Sequence, residues 1–345
     1  MEAAREVIAE GIGAARPSEV VFTSGGTESD NAAFVSVLRR IAPDGGHIIT
    51  SAYEHHAVLE VAEYLAKHGY DLSIVRPRKD GFVHAEDVAE LLQDNTKIVS
   101  VMHSNNEIGT VNDLAAIAKV AHERGALVHT DAVQSLGKVP FDVQELDVDL
   151  ASFSSHKVYG PKGFGALYLK RGVGFDPLIK GGGQETKRRS GTQNVAGAVG
   201  FAKALELMLE SRESEAMRLA ALRDRVLDGI TSRLENTLAT VSEGNRLPNI
   251  APLLIKGVEG ESMLLQLDNL GFAVSTGSAC SSGSLEPSHV LLAIGVPQVI
   301  AHGSLRVTVG RYTTEEDITA FVDALPLIVE RLRAMSPVYT KMFCS

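Results

Sequence analysis

The stretch DLAAIAKVAHERGALVHTDAVQS, residues 113–135, contains one complete helix-to-strand unit and decides the fold class. Apolar residues recur at i, i+3, i+4 and i+7 from Leu114 to Ala121, which predicts an amphipathic helix. Asp113 can cap the first turn of this helix and Gly125 can end it. The run ALVHTD that follows is short, rich in β-branched residues and typical of a strand.

The same alternation of strands and helices extends over the first two-thirds of the chain. Strands are predicted at 19–24, 47–52, 71–76, 97–103, 126–131, 149–154 and 164–169. This order predicts an α/β fold with a mostly parallel seven-stranded sheet that carries helices on both faces. Ligands of such sheets bind beyond the carboxyl ends of the strands, so we expect functional residues directly after the strands.

The pattern changes after residue 192. A long helix is predicted from about 193 to 235, with a break near 211–214, and shorter strands and helices follow it. We therefore predict a large domain over residues 1–212 and a smaller α+β domain over residues 213–345.

Composition excludes several classes of protein. The 345 residues include 33 Lys and Arg against 43 Asp and Glu, a net charge of −10 that argues against nucleic acid as a partner. Two cysteines are too few for a disulfide scaffold, and no CxxC spacing is present for zinc. The sequence has neither a signal peptide nor an apolar run of about 18 residues, so we predict a cytoplasmic protein without membrane contact.

Two polar motifs end neighbouring predicted strands. SFSSHKVYGPKG, residues 152–163, places Lys157 where a lysine can form a Schiff base, although most turn lysines are simply solvated. HTDAVQS, residues 129–135, places Asp131 at the end of the preceding strand, where it could cap a helix or pair with a buried cation. Pyridoxal 5'-phosphate (PLP) would explain both residues, because its protonated ring nitrogen binds a carboxylate and its aldehyde binds a lysine.

Two further motifs follow predicted strands. FTSGGTES, residues 22–29, combines a helix start with the hydroxyl of Thr27 and can bind a phosphate, although a Gly-Gly pair is also common in ordinary turns. It lacks the GxGxxG and Walker patterns of dinucleotide and ATP sites. In the run EHH at 54–56, His55 can stack on an aromatic cofactor or lie at the surface. Adjacent histidines converge poorly on a metal ion, so no metal site is predicted.

The run STGSACSSGSLEP, residues 275–287, surrounds Cys280 with serine, glycine and alanine. This composition predicts a loop rather than a packed element. A cysteine on a loop can act as a nucleophile through its thiolate. Cys344 has no comparable surroundings.

Taken together, these motifs resemble the cysteine desulfurases of the NifS/IscS type, which are PLP-dependent members of the class-V aminotransferase family. The resemblance extends from about residue 3 to residue 335 and rests on FTSGGTES, EHHAVLE, HSNNEIGT, HTDAVQS, SFSSHKVYGPKG, RRSGTQN, STGSACSSGSLEPSHVL and SLRVTVGRYTTEED. It implies the PLP-dependent transferase fold of type I, with the cysteine loop on the smaller C-terminal domain. Kynureninases and serine–glyoxylate aminotransferases share this fold but not the cysteine loop.

The resemblance also implies roles for individual residues around the cofactor ring. Lys157 would form the Schiff base with PLP, and Asp131 would bind the pyridine nitrogen. Gln134 would bind the phenolic oxygen, and His55 would stack on the ring and handle protons.

Phosphate, substrate and sulfur would be bound by a second group of residues. The phosphate-binding set implied by the resemblance is Gly26, Thr27, Ser154 and His156. Thr192 would reach the phosphate of the neighbouring subunit in a homodimer. Asn106 and Arg306 would hold the substrate carboxylate, and Cys280 would be the catalytic nucleophile.

The implied reaction removes sulfur from L-cysteine, giving L-alanine and a persulfide on Cys280. The persulfide would pass to an iron–sulfur scaffold protein or to a sulfur-carrier protein for tRNA thiolation. Two alternatives are a selenocysteine lyase or related PLP β-lyase, and a catalytically impaired scaffold or assembly partner. Family members open with a segment similar to YLDNAATTP that is absent here, and we expect its absence to affect the dimer or substrate binding.

Overall fold

A computed structural model describes residues 1–241, 244–277, 286–335 and 339. Cys280 and Cys344, for which the sequence analysis made predictions, lie outside these residues. The chain divides into two compact units. The first consists of Met1–Pro77, Phe82–Asn105 and Val111–Arg212, and the second of Arg78–Gly81, Asn106–Thr110 and Glu213–Ser345. Two short segments from the first 212 residues are thus grouped with the second unit.

The first unit is built on a seven-stranded sheet in the order β1-β7-β6-β5-β4-β2-β3. The strands are β1 Val20–Thr23, β2 His47–Ser51, β3 Asp71–Val75, β4 Thr96–Ser100, β5 Leu127–Asp131, β6 Leu150–Ser154 and β7 Gly165–Leu169. Strands β3, β2, β4, β5 and β6 run parallel, whereas β7 is antiparallel to both β6 and β1. Because β1 and β6 are both antiparallel to β7, β1 points the same way as the parallel strands. The predicted mostly parallel seven-stranded sheet is confirmed.

The helices of the first unit cover the sheet. They are α1 Glu2–Gly11, α2 Gly26–Ile41, α3 His56–Ala66, α4 Ala85–Leu91, α5 Leu114–His122, α6 Gln184–Lys187 and α7 Val195–Glu210. In α5 the side chain of Asp113 accepts a 3.1 Å hydrogen bond from the N–H of Ala116, as its predicted capping role requires. Every residue of β2, β6 and β7 is buried, so both faces of the sheet are covered.

Predicted and observed boundaries differ most at β4 and at the long helix that follows residue 193. Strand β4 ends at Ser100 rather than at residue 103, although the N–H groups of Val101 and His103 still donate to the carbonyls of β5. The long helix predicted from 193 is interrupted at Ser211, within the expected break, and continues as α8 Arg212–Thr231.

The second unit has its own sheet and core. Its antiparallel strands are ordered β10-β9-β8, with β8 Thr237–Ala239, β9 Ile250–Ile255 and β10 Ser304–Thr308. The remaining helices are α9 Gly260–Asp268, α10 His289–Ala293, α11 Gln298–Ala301 and α12 Glu315–Met335. Buried residues such as Val226, Leu253 and Leu325 pack into one apolar cluster. No described helix is long and apolar enough to cross a membrane.

Candidate active site

The polar motifs lie where the strands of the first unit end. Strand β5 ends on Asp131 and β6 ends on Ser154. Lys157 follows in a 3-10 turn at Ser155–Val158, which Tyr159 closes with a φ of 65°. A left-handed conformation is rare for a bulky residue, so the backbone beside Lys157 is held in a strained conformation by its surroundings.

Asp131 is buried at the edge of the sheet. Its Oδ1 accepts a 2.9 Å hydrogen bond from the N–H of Val133. Burial raises the pKa of Asp131 to about 6, while that hydrogen bond and the positive charge of Lys157 act to lower it. The two residues that the sequence analysis paired through a cofactor are therefore close enough to interact electrostatically.

Two other buried carboxyl groups lie close to Asp131. Glu54 accepts hydrogen bonds from the hydroxyl of Ser51 and from the N–H of Met102, and burial raises its pKa to about 8. Burial, and then the charge of Asp131, raise the pKa of Asp30 well above its usual range. These raised pKa values favour the protonated carboxyl groups, and a cationic group bound at this edge of the sheet would favour their ionised forms.

Basic side chains lie close to Lys157. Lys138 donates a 3.0 Å hydrogen bond to the carbonyl of Gln134, and burial lowers its pKa to about 7, with a further contribution from the charge of Lys157. Burial lowers the pKa of His156, as do the charges of Lys157, Lys162 and Lys138. These four basic groups can donate hydrogen bonds to an anion, whose negative charge would favour their protonated forms.

The Gly-Gly turn lies against the same strands. Gly25 has a φ of 153°, a conformation that favours glycine, and Gly26 begins α2. A Cβ atom added to Gly26 would lie 2.8 Å from Cγ2 of Val133 and 3.7 Å from Cβ of Ser154. The hydroxyl of Ser154 is 2.9 Å from Nδ1 of His156. The phosphate-binding residues predicted from two separate motifs are therefore neighbours, and Thr27 is exposed beside them.

His55 caps α3 with its ring. Its Nδ1 accepts a 3.1 Å hydrogen bond from the N–H of Ala57, which leaves the ring proton of the neutral tautomer on Nε2. Burial lowers the pKa of His55, and the charges of His56 and Lys157 lower it further. The imidazole is therefore neutral near pH 7 and lies within the electrostatic reach of Lys157.

A polar network behind Asp131 was not predicted from the sequence. His129 is fully buried, with Nδ1 2.8 Å from Oγ of Ser100 and Nε2 3.0 Å from Oγ of Ser152. Burial lowers its pKa to about 3. Asp30 lies 3.7 Å from Nε2 of His129 and interacts with the hydroxyl of Ser152.

Asp30 carries a sequence signal that could have identified it. It occupies the position i of an i, i+3, i+4, i+7 stripe whose other members, Ala33, Phe34 and Val37, are buried and apolar. A carboxylate in such a stripe must face the sheet and requires polar partners there.

The remaining predicted residues lie elsewhere. Gln134 is half-buried just after Asp131, and Thr192 is exposed between α6 and α7. Asn106 and Arg306 belong to the second unit, where Nη1 of Arg306 donates a 2.9 Å hydrogen bond to the carbonyl of Asn106. Cys280 lies outside the described residues.

Comparison with known proteins places the chain in a family. The family model described as aminotransferase class-V matches residues 1–321. The chain is 49% identical to the cysteine desulfurase IscS of Dictyoglomus turgidum over 98% of this chain and 85% of that protein. The solved structure of a NifS-like protein superimposes with a TM-score of 0.89 at 37% identity, covering 96% of this chain and 87% of the other. The chain belongs to the class-V aminotransferases of the NifS/IscS cysteine desulfurase type.

A second solved structure adds information about a ligand of this family. It is that of SspA in complex with cysteine, which matches with a TM-score of 0.78 at 35% identity over 91% of this chain and 87% of the other. The predicted fold of PLP-dependent transferases and the predicted resemblance to cysteine desulfurases are confirmed.

Class-V aminotransferases generally use PLP, and the residues at this edge of the sheet fit that group. Buried carboxyl groups at Asp30, Glu54 and Asp131 suit a protonated ring nitrogen. The basic side chains around Lys157 and the start of α2 suit a phosphate. Because Gly26 has no side chain, Cγ2 of Val133 packs closely against the backbone of this turn.

Proposed function

We propose that this protein is a PLP-dependent cysteine desulfurase that converts L-cysteine into L-alanine and leaves the sulfur as a persulfide on Cys280. The observation that carries the proposal is the position of Lys157, whose charge acts on both the buried carboxylate of Asp131 and the imidazole of His55. A lysine, a carboxylate and a histidine at one sheet edge are the groups that a pyridoxal cofactor requires. The names of the relatives support cysteine as the substrate.

In this proposal each residue has a defined task toward the cofactor. PLP, when bound, supplies an electron sink that stabilises negative charge at the substrate Cα. Lys157 would hold the cofactor aldehyde, and its Nζ, when free, would accept the Cα proton of the substrate. Asp131 binds the ring nitrogen, Gln134 the phenolic oxygen, and neutral His55 lies against the ring with its proton on Nε2.

The phosphate is assigned to backbone and side-chain donors. Gly26, Thr27, Ser154 and His156 bind it in one subunit. Thr192 of a second copy completes the site in a homodimer.

Sulfur transfer requires groups of the second unit. Arg306 and Asn106 bind the substrate carboxylate, for which a guanidinium fork is well suited. The thiolate of Cys280 attacks the substrate sulfur, the carbon–sulfur bond breaks, and the released electron pair at Cβ takes up a proton. L-Cysteine and the Cys280 thiol thus become L-alanine and the persulfide, with no external oxidant or reductant. Delivery of this sulfur to an iron–sulfur scaffold or a sulfur carrier in the cytoplasm is part of the same proposal.

An absorbance titration with product analysis tests the function. The purified protein, incubated with PLP, is expected to develop a visible band that shifts on adding L-cysteine, with alanine and, after a thiol reductant, sulfide in equal amounts. Lys157→Ala should lose the band, whereas Lys119→Ala, a variant of an exposed lysine on α5, should keep it. A protein that binds PLP but makes neither product would support a scaffold role, and preference for L-selenocysteine would indicate a lyase.

A further inference from the structure

Glu107 is a buried carboxyl group in the second unit that has no role in the proposed chemistry. It directly follows Asn106, and only 7% of its surface is exposed. Its Oε2 accepts a 2.5 Å hydrogen bond from the hydroxyl of Ser288. The same hydroxyl accepts a 3.4 Å hydrogen bond from the N–H of Leu291 and so caps α10. A serine alone is sufficient to cap a helix, so the cap does not explain the buried carboxylate.

The same carboxyl group lies against Gly277. A Cβ atom built on Gly277 would lie 2.7 Å from Oε2 of Glu107 and 2.9 Å from Cβ of Ser288. Real Cβ atoms do not approach other atoms so closely, so only glycine fits here without a shift of its neighbours. Glu107 therefore touches the chain at Gly277 and again at Ser288, the two sides of the segment that contains Cys280.

Arg306 holds the same region from β10. Its backbone exchanges hydrogen bonds with Ser275, donating at 2.7 Å and accepting at 3.2 Å. Its Nη1 donates to the carbonyl of Asn106, and its positive charge acts on Glu107. The residue pair proposed to bind substrate is thus linked, through contacts within one unit, to both sides of the segment that contains Cys280.

We propose that Glu107 is a positioning residue for sulfur transfer, which fixes Gly277 and Ser288 relative to each other and so sets where Cys280 can reach. This inference rests on the proposed desulfurase function. Fixing both sides of a short segment lowers the conformational freedom that must be lost when a nucleophile meets its target. Glu107 touches neither the substrate nor the reacting sulfur in this role.

Hydrogen exchange and single-turnover kinetics on the PLP-loaded protein test this inference. Glu107→Ala is expected to speed amide exchange in the peptide 273–292 while exchange in β9, Ile250–Ile255, stays unchanged. The alanine burst from L-cysteine should fall about tenfold or more, since a misplacement of about 1 Å can cost roughly a hundredfold. The shift of the cofactor band on adding cysteine, which precedes sulfur transfer, should remain.

Conservative variants separate positioning from general damage. Glu107→Gln and Ser288→Thr keep a hydrogen-bonding side chain and should retain the burst within about threefold, whereas Ser288→Ala should resemble Glu107→Ala. Thr314→Ala is the matched control, because it removes an exposed cap of α12 in the same unit without a buried carboxyl partner.

The outcomes are distinct. Unchanged exchange at 273–292 in Glu107→Ala, or faster exchange with a full alanine burst, overturns the inference while the proposed function stands. If exchange in β9 also accelerates in Glu107→Ala, the damage extends beyond this segment, and Ser288→Ala is measured instead. A full alanine burst from Ser288→Ala would also overturn the inference. If the wild-type protein makes no alanine at all, the proposed function fails and the inference fails with it.

Discussion

Arg189 and Glu28 form a two-pronged ion pair across 161 residues of sequence. Nε of Arg189 donates to Oε1 of Glu28 at 2.9 Å, and Nη2 donates to Oε2 at 3.1 Å. Burial acts to raise the pKa of Glu28, but the hydrogen bonds from Arg189 and the N–H of Ser24 outweigh it and the pKa is lowered. The pair connects the Gly-Gly turn before α2 to the segment that carries Thr192.

This ion pair should support cofactor binding. Arg189→Met is expected to weaken PLP affinity by about five- to tenfold, because the turn at Gly26 loses its link to the 188–192 segment. An absorbance titration of apo-protein with PLP measures the effect. Glu28→Gln should weaken PLP affinity to the same extent, and the double variant should bind PLP no more weakly than either single variant. Arg124→Met is the control, since its partner Asp94 is fully exposed, and an equal loss there would contradict the prediction.

Gly26 should not tolerate a side chain. Gly26→Ala places a Cβ atom 2.8 Å from Cγ2 of Val133, the residue whose N–H binds Asp131. We expect PLP affinity to fall by about tenfold or more with a smaller change in thermal stability. Gly183→Ala, where the nearest atom would be 3.9 Å away, is the comparison. Tight PLP binding by Gly26→Ala would show that the turn does not approach the cofactor.

Asp131 should matter for catalysis more than for cofactor binding. Asp131→Asn keeps the size of the side chain but removes the charge that stabilises a protonated ring nitrogen. Alanine formation should fall by about a hundredfold or more, and the visible band of bound PLP should change its pH dependence. Asp113→Asn, which retains a helix cap, serves as control. An unchanged rate would exclude Asp131 as the partner of the ring nitrogen.

Buried carboxyl groups should make the apo-protein less stable as the pH rises. Glu54 has a pKa of about 8 in the folded chain against an ordinary value of 4.5, so its contribution to stability is present below about pH 4.5 and is lost as the pH rises through about 8. Glu54→Gln should therefore reduce the fall in melting temperature between pH 5 and pH 8 by a few degrees. Glu90→Gln, at an exposed position, should leave the slope unchanged. If Glu54→Gln left the dependence of the melting temperature on pH unchanged, the raised pKa of Glu54 would be contradicted.

Cys280 should be required for sulfur release. Cys280→Ala is expected to lower sulfide production from L-cysteine by about a hundredfold or more, because the proposed nucleophile is lost, while the visible band of PLP remains. Cys344→Ala should retain activity, and mass spectrometry after one turnover should locate the persulfide on the peptide that contains Cys280. Sulfide release at the wild-type rate from Cys280→Ala would overturn the proposed chemistry.

The sequence alone determined the fold class and the positions of the strands of the large sheet along the chain. The period-3.6 pattern at 113–124 and the short apolar runs at 126–131, 149–154 and 164–169 are local signals, and the predicted strands match the observed ones within a few residues. The motifs that end at Asp131 and Lys157 also followed from the sequence, because parallel strands bring their carboxyl ends to one edge. The functional roles of those residues, and of Cys280, remain predictions.

Only the tertiary structure showed which distant groups interact. Asp30 and His129 are buried and Lys138 is half-buried beside the predicted site, yet none of them was predicted as part of it, because the partners of a buried polar group come from other strands. Contacts such as Arg189 with Glu28, or Glu107 with Gly277 and Ser288, join residues far apart in the chain. Local sequence patterns fix elements because their forces act within a few residues, whereas charge pairing and close approach depend on packing that the whole chain decides.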